Sequence, residues 1–205
     1  MLNAAMTWAV EQEFIDKNPW RQYKRLPIKR KPISVSMDVF KAVYNVANAW
    51  LQWAIKTAFC LCLRPGLVEL FSLKWSAFNF AIGNVTIVQG KSGILKTVLP
   101  PTAYMDEARS RYEADRKKGI DLVCTNNGRA ITNYQYAWDC ACKRAGQRMR
   151  FYDVRHLAAT TMLAAGADIV SVAAQMGHQD CSMTGKVYAH ALQSGQQRAG
   201  QALSF

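Results

Sequence analysis

Apolar positions recur with helical spacing along most of the chain, interrupted once by a block of strict alternation. Leu2, Met6, Trp8, Ala9, Val10 and Phe14 form a partial apolar face that predicts a helix over 1–16. Asn18-Pro19 ends it, because the residue before a proline is pushed out of the helical region. Ser36 is placed to cap a helix carrying Val39, Phe40, Val43 and Tyr44, and the strongly apolar run 50–63 predicts a central helix. A short helix is expected over 66–73. Alternation then takes over. Strands are predicted near 77–81, 85–89 and 94–99, joined by a Gly83-Asn84 turn and by the hairpin turn Gly90-Lys91-Ser92-Gly93. Pro100-Pro101 opens a helix to about 118, and 121–125 reads as extended. Helices follow at about 132–146, 153–165, 168–176 and 182–192, with Gly166 closing the 153–165 helix. The fold class implied is mainly α with a small three-stranded antiparallel β-sheet, an α+β architecture.

Between 21 and 32 the apolar pattern lapses. Arg21, Lys24, Arg25, Lys29, Arg30 and Lys31 stand there with Pro27 and Pro32, the composition of a basic linker. It separates a short tail, 1–20, from a compact domain over 34–190, and 191–205 forms a C-terminal tail. The charge balance gives the linker a meaning. The chain carries 26 Lys and Arg against 14 Asp and Glu, a formal net charge of +12. Such an excess repels itself in a compact fold, so it faces an anionic partner, most commonly nucleic acid. No apolar run approaches the roughly 20 residues that cross a bilayer. Met1 to Val10 also lacks the basic head and small-residue cleavage pattern of a signal peptide. No membrane partner is expected, and the expected compartment is the cytoplasm. The six cysteines change little. Cys60 and Cys62, like Cys140 and Cys142, are spaced C-x-C with no histidine beside them, which suits reduced, buried thiols better than zinc. No metal or other cofactor is predicted.

A few polar residues stand where the local pattern is apolar or turn-like. Arg64 interrupts the end of the central apolar helix, and taken alone reads as a structural ion-pair partner of Glu69. Arg155 opens an alanine- and threonine-rich helix, with His156 beside it as a core histidine. His178 follows Gly177 after an amphipathic segment, and Tyr188 lies ten residues later on what reads as an apolar helix face, where a tyrosine is core by default.

Taken together these residues match a family pattern. Leu63-Arg64-Pro65-Gly66 through Glu69-Leu70-Phe71-Ser72-Leu73-Lys74-Trp75 resembles the first arginine box of the phage integrases, which are tyrosine recombinases. Tyr152-Asp153-Val154-Arg155-His156-Leu157-Ala158-Ala159-Thr160 resembles their second, and Gly177-His178 with Thr184, Tyr188, Ala189 and His190 resembles the nucleophile segment. The resemblance implies a recombinase catalytic domain over 34–190, preceded by the end of an N-terminal core-binding domain. It implies that Arg64 and Arg155 hold the scissile phosphate and that Tyr188 attacks it. His178 matches the histidine that precedes the nucleophile. Lys91 matches the hairpin lysine that protonates the leaving 5′-oxygen, with Lys96 as its rival. Lys24, Arg25, Lys29, Arg30 and Lys31 are expected to contact DNA. The implied partner is double-stranded DNA at attachment sites, worked on by a homo-tetramer in a bacterial host cell, with 191–205 docking on a neighbour. Without DNA the chain is expected to be a monomer. Two departures stand out. Tyr152 occupies a place where many members carry histidine, and a phenol can bond a phosphate oxygen but is a poor base near neutrality. The interval from His178 to Tyr188 is also one residue longer than expected. The alternatives are a topoisomerase sharing the same chemistry, and a relative that binds DNA without cutting it.

Overall fold

The computed structural model describes residues 2–21, 35–90, 93–178 and 185. The chain divides into two units at Pro32 and Ile33.

In the first unit, α1 (Leu2–Glu11) buries no residue. It ends short of the expected 16, because Glu13 adopts a left-handed φ of 59°. Phe14 N then donates to Ala9 O and Glu13 N to Val10 O, which satisfies the last carbonyls and stops the helix. Asn18 folds back on it, its Nδ2 donating to Asn3 Oδ1 at 2.8 Å and to Thr7 Oγ1 at 3.0 Å.

The second unit opens with α2 (Met37–Val46), capped as expected by the Ser36 hydroxyl on Val39 N. Next comes α3 (Ala49–Cys60), which buries Leu51, Trp53, Ala54, Ile55, Thr57 and Ala58. Leu51, Ala54 and Ala58 are fully enclosed. Burying a large aliphatic side chain stabilises by roughly 1.5–3 kcal/mol, so this helix anchors the domain. The strands β1 (Phe78–Asn79), β2 (Asn84–Val88) and β3 (Leu95–Val98) form one antiparallel sheet in that order, with Val85 opposite Val98 and Ile87 opposite Lys96. Helices α4 (Thr102–Arg116), α5 (Gln135–Arg144), α6 (Asp153–Ala164) and α7 (Ile169–Met176) complete the described part. Packing runs α2 on α5, α3 on α6, α6 on α7, and α7 on β3.

Two expectations are corrected. Residues 66–73 are turns, not a helix. Glu69 is drawn back onto Arg64, while Leu70, Phe71 and Leu73 plug into the core. A hairpin that the pattern did not suggest also appears: β4 (Thr125–Asn126) pairs with β5 (Arg129–Ala130). The helix expected over 182–192 lies outside the described residues, apart from helical Gly185.

Candidate active site

Two helices end at the same place, and they end in the same way. At the end of α3, Cys62 takes a left-handed φ of 49°, so that Cys62 N donates to Phe59 O and Leu63 N reaches back to Ala58 O. At the end of α7, Gly177 has φ 65°, with its N–H on Ala174 O and His178 N on Ala173 O. In each case a left-handed residue closes the helix and turns the chain sharply. Arg64 leaves the first turn and His178 the second. Glycine meets this demand freely at 177. Cysteine at 62 carries strain on the order of 1–2 kcal/mol.

Arg155, in the first turn of α6, reaches between these two ends. It is 2 % exposed, and its Nη1 donates to Cys62 O and its Nη2 to Met176 O. The same Nη2 stands 3.5 Å from His178 Nε2. Burial, with Arg64 repelling it, pulls the Arg155 pKa below the usual arginine range. Arg64 Nη1 pairs with Glu69 Oε1 at 2.8 Å, and Glu69 Oε2 accepts from Arg64 N at 3.0 Å. Burial works against the Arg64 charge, but its bonds to Glu69 prevail, with the nearby Tyr152 side chain favouring the charge as well. The two readings of Arg64 thus coexist: it is an ion-pair partner of Glu69 and it stands at the site.

Tyr152 sits at the start of α6, 40 % exposed, with its ring edge-on to His156 at 5.1 Å. Burial lowers the His156 pKa. His178 is pulled down to about 4 by burial and by the charges of Arg155, Arg64 and Lys96, so its ring is neutral at physiological pH. A bound phosphate would raise it again. Lys96 is buried on β3, its Nζ donating to Leu61 O at 3.1 Å and Cys62 O at 3.2 Å. The structure thus brings Arg64, Tyr152, Arg155, His178 and Lys96 together. Lys91 and Tyr188 lie outside the described residues, as do Lys24, Arg25, Lys29, Arg30 and Lys31 of the expected DNA-binding linker.

One residue that the sequence did not single out belongs to the same cluster. Gln89, at the end of β2, donates from Nε2 to Gly177 O. Gly177 itself has no room for a side chain, since a Cβ would overlap the Gln89 amide and the Lys96 chain. The available signal was parity: Gln89 is polar yet in phase with the apolar Val85 and Ile87. Among the described residues, no group of three or more metal-binding side chains stands together, and no helix is long and apolar enough to cross a membrane.

The model of the phage integrase family matches residues 35–194, most of the chain. The chain belongs to the phage integrase family. This family member is 26% identical over 227 residues to the prophage integrase IntR of Escherichia coli strain K12, an alignment covering 92% of this chain and 55% of IntR. Its fold matches a lambda integrase dimer bound to a COC' core site, with a TM-score of 0.70 and 18% identity over 91% of this chain and 56% of that one. It also matches a lambda integrase tetramer bound to a Holliday junction, with a TM-score of 0.66 and 19% identity over 87% and 56% of the two chains. The chain spans about half the length of the curated relatives it matches.

Proposed function

We propose that this phage integrase family member is the catalytic part of a site-specific DNA recombinase, cutting and rejoining double-stranded DNA at attachment sites through a 3′-phosphotyrosine on Tyr188. The observation that carries the reading is an uncompensated charge. Among the described residues, Arg64, Arg155 and Lys96 converge, and the one ion pair in the cluster is that of Arg64 with Glu69. Arg64 lowers the pKa of buried Arg155, and both arginines lower that of buried Lys96, so an arriving anion stabilises the cluster, and a phosphodiester fits a pair of planar guanidinium forks.

Attack by the Tyr188 oxygen on phosphorus forms the P–O bond to tyrosine and breaks the bond to the 5′-oxygen. Charge builds on the non-bridging oxygens, where each charge-assisted bond from Arg64 and Arg155 is worth roughly 1.5–3 kcal/mol. The leaving 5′-oxygen takes its proton from Lys91. The Tyr188 proton passes to a base, for which neutral His178 is the candidate. The phosphotyrosine ester keeps the bond energy, so the reverse attack by a 5′-hydroxyl reseals the strand. The linker cations Lys24, Arg25, Lys29, Arg30 and Lys31 grip the backbone. The working assembly is a homo-tetramer in the cytoplasm of a bacterial host, as the lambda tetramer on its junction suggests.

The test is to trap the protein on a nicked duplex that loses its 5′-end after cleavage, and to identify the linked residue by mass spectrometry. Tyr188 should carry the DNA, and Tyr188→Phe should bind duplex nearly as well while forming no adduct. An adduct persisting in that variant would move the nucleophile elsewhere.

A further inference from the structure

The β3 strand alternates exposed and buried, and its buried positions are Lys96 and Val98. An ammonium thus occupies a core-facing place opposite Ile87, where an aliphatic side chain would satisfy the pleat. Its Nζ has three protons and three acceptors: Leu61 O at 3.1 Å, Cys62 O at 3.2 Å and Gln175 O at 3.5 Å. The first two belong to the end of α3 and the third to the last turn of α7. The carbonyl ends of helices carry partial negative charge, so a cation lodged between two of them is held by both. Arg155 spans the same two ends, on Cys62 O and Met176 O. Two parallel cations therefore tie together the turns that launch Arg64 and His178.

We propose that Lys96 is a positioning residue of the phosphate site, a buried brace that fixes the α3 and α7 ends, and so Arg64, Arg155 and His178, without itself touching DNA. The inference rests on the recombinase reading of the same site. It also separates Lys96 from Lys91. A lysine whose three protons are committed to backbone carbonyls, with 6 % of its surface exposed, has none to offer a leaving oxygen in a groove.

The experiment compares wild type, Lys96→Met and Lys96→Arg in single-turnover cleavage of two nicked duplexes, one natural and one with sulfur as the bridging 5′-atom. A thiolate leaves without needing a proton, so the second substrate bypasses any general acid. Lys96→Met should cleave both substrates ten- to a hundredfold more slowly, and Lys96→Arg, which keeps charge and donors, should recover part of the loss. Native-state hydrogen exchange should show the Leu63 and His178 amides losing protection together in Lys96→Met. A defect that vanishes on the sulfur substrate would make Lys96 the proton donor and overturn the proposal, as would wild-type rates in Lys96→Met. If Lys96→Met does not fold, Lys96→Gln carries the same comparison with two neutral N–H donors left. If wild type forms no adduct on either duplex, the recombinase reading falls by itself. The brace is then judged on exchange alone, and unchanged protection of Leu63 and His178 rejects it.

Discussion

Tyr152 is the residue on which this site departs from the commoner histidine, and its surroundings say what it can do. Its side chain stands half-exposed at the start of α6, near enough to Arg64 to favour that guanidinium's charge, so it is placed to reach a phosphate oxygen bound there. If bonding is its role, imidazole can replace it and a bare ring cannot. Single-turnover cleavage should therefore fall in the order wild type, Tyr152→His, Tyr152→Phe, Arg155→Ala. Tyr152→Phe should lose roughly tenfold to a hundredfold, the loss expected for one transition-state hydrogen bond of about 1.4–2.7 kcal/mol. Arg155→Ala should be worse, because it removes a charged fork and unties two helix ends. A Tyr152→Phe variant as fast as wild type would reduce the side chain to packing. At this scale the sequence was informative about identity and poor about burial. Arg64, Glu69, Arg155 and His178 were legible as residues. That Arg155 is almost wholly enclosed, or that Lys96 points inward, was not, because long cationic side chains are usually read as solvated.

Among the elements, the end of α7 is the most constrained. Gly177 needs its left-handed backbone and also the empty space beside it. Gly146 provides a control, with φ 61° and nothing within 4 Å of where a Cβ would stand. Gly146→Ala should lose only the backbone preference. Gly177→Ala should lose about 1–3 kcal/mol more, by displacing Gln89 and Lys96, and cleavage should suffer in it alone. Equal urea midpoints for the two variants would contradict the close approach. The helices were legible because their apolar faces are regular and their caps explicit, as with Ser36 on α2. The strands were legible in place but not in facing. Leu95 and Leu99 are apolar yet exposed, so both parities of β3 looked buriable. The 66–73 segment misled because its apolar spacing serves a loop pinned by Glu69. The β4–β5 hairpin has a clear turn, Asn127-Gly128 with φ 51° and 78°, but its two-residue strands are too short to show alternation.

For the whole molecule, the buried lysine leaves a signature in stability. Burial, with the Arg155 charge adding to it, brings the Lys96 pKa down from 10.5 to about 8. The unfolded chain therefore holds that proton more tightly than the folded one. Below about pH 8 the charged brace subtracts from stability, and between about 8 and 10.5 the folded state gains on the unfolded. The shift corresponds to about 3 kcal/mol at most. Urea unfolding of wild type and Lys96→Met from pH 7 to 10.5 should show wild type gaining on the variant across that window, while titrations common to both cancel. A pH-independent difference would mean that the ammonium is not strained.

The grip of two helix ends on Arg155 also gives the site a hand. A guanidinium held at both Nη atoms by fixed carbonyls cannot pivot, so its remaining N–H groups keep fixed directions. A phosphodiester is prochiral, and its two non-bridging oxygens differ only in handedness. If a phosphodiester enters this site as proposed, one of them would meet Arg155 and the other would be left to Arg64 and its neighbours. Sulfur in place of one oxygen is then a different substitution from sulfur in place of the other, and the two phosphorothioate diastereomers should be cut at unequal rates. An arginine free to swing would treat them alike.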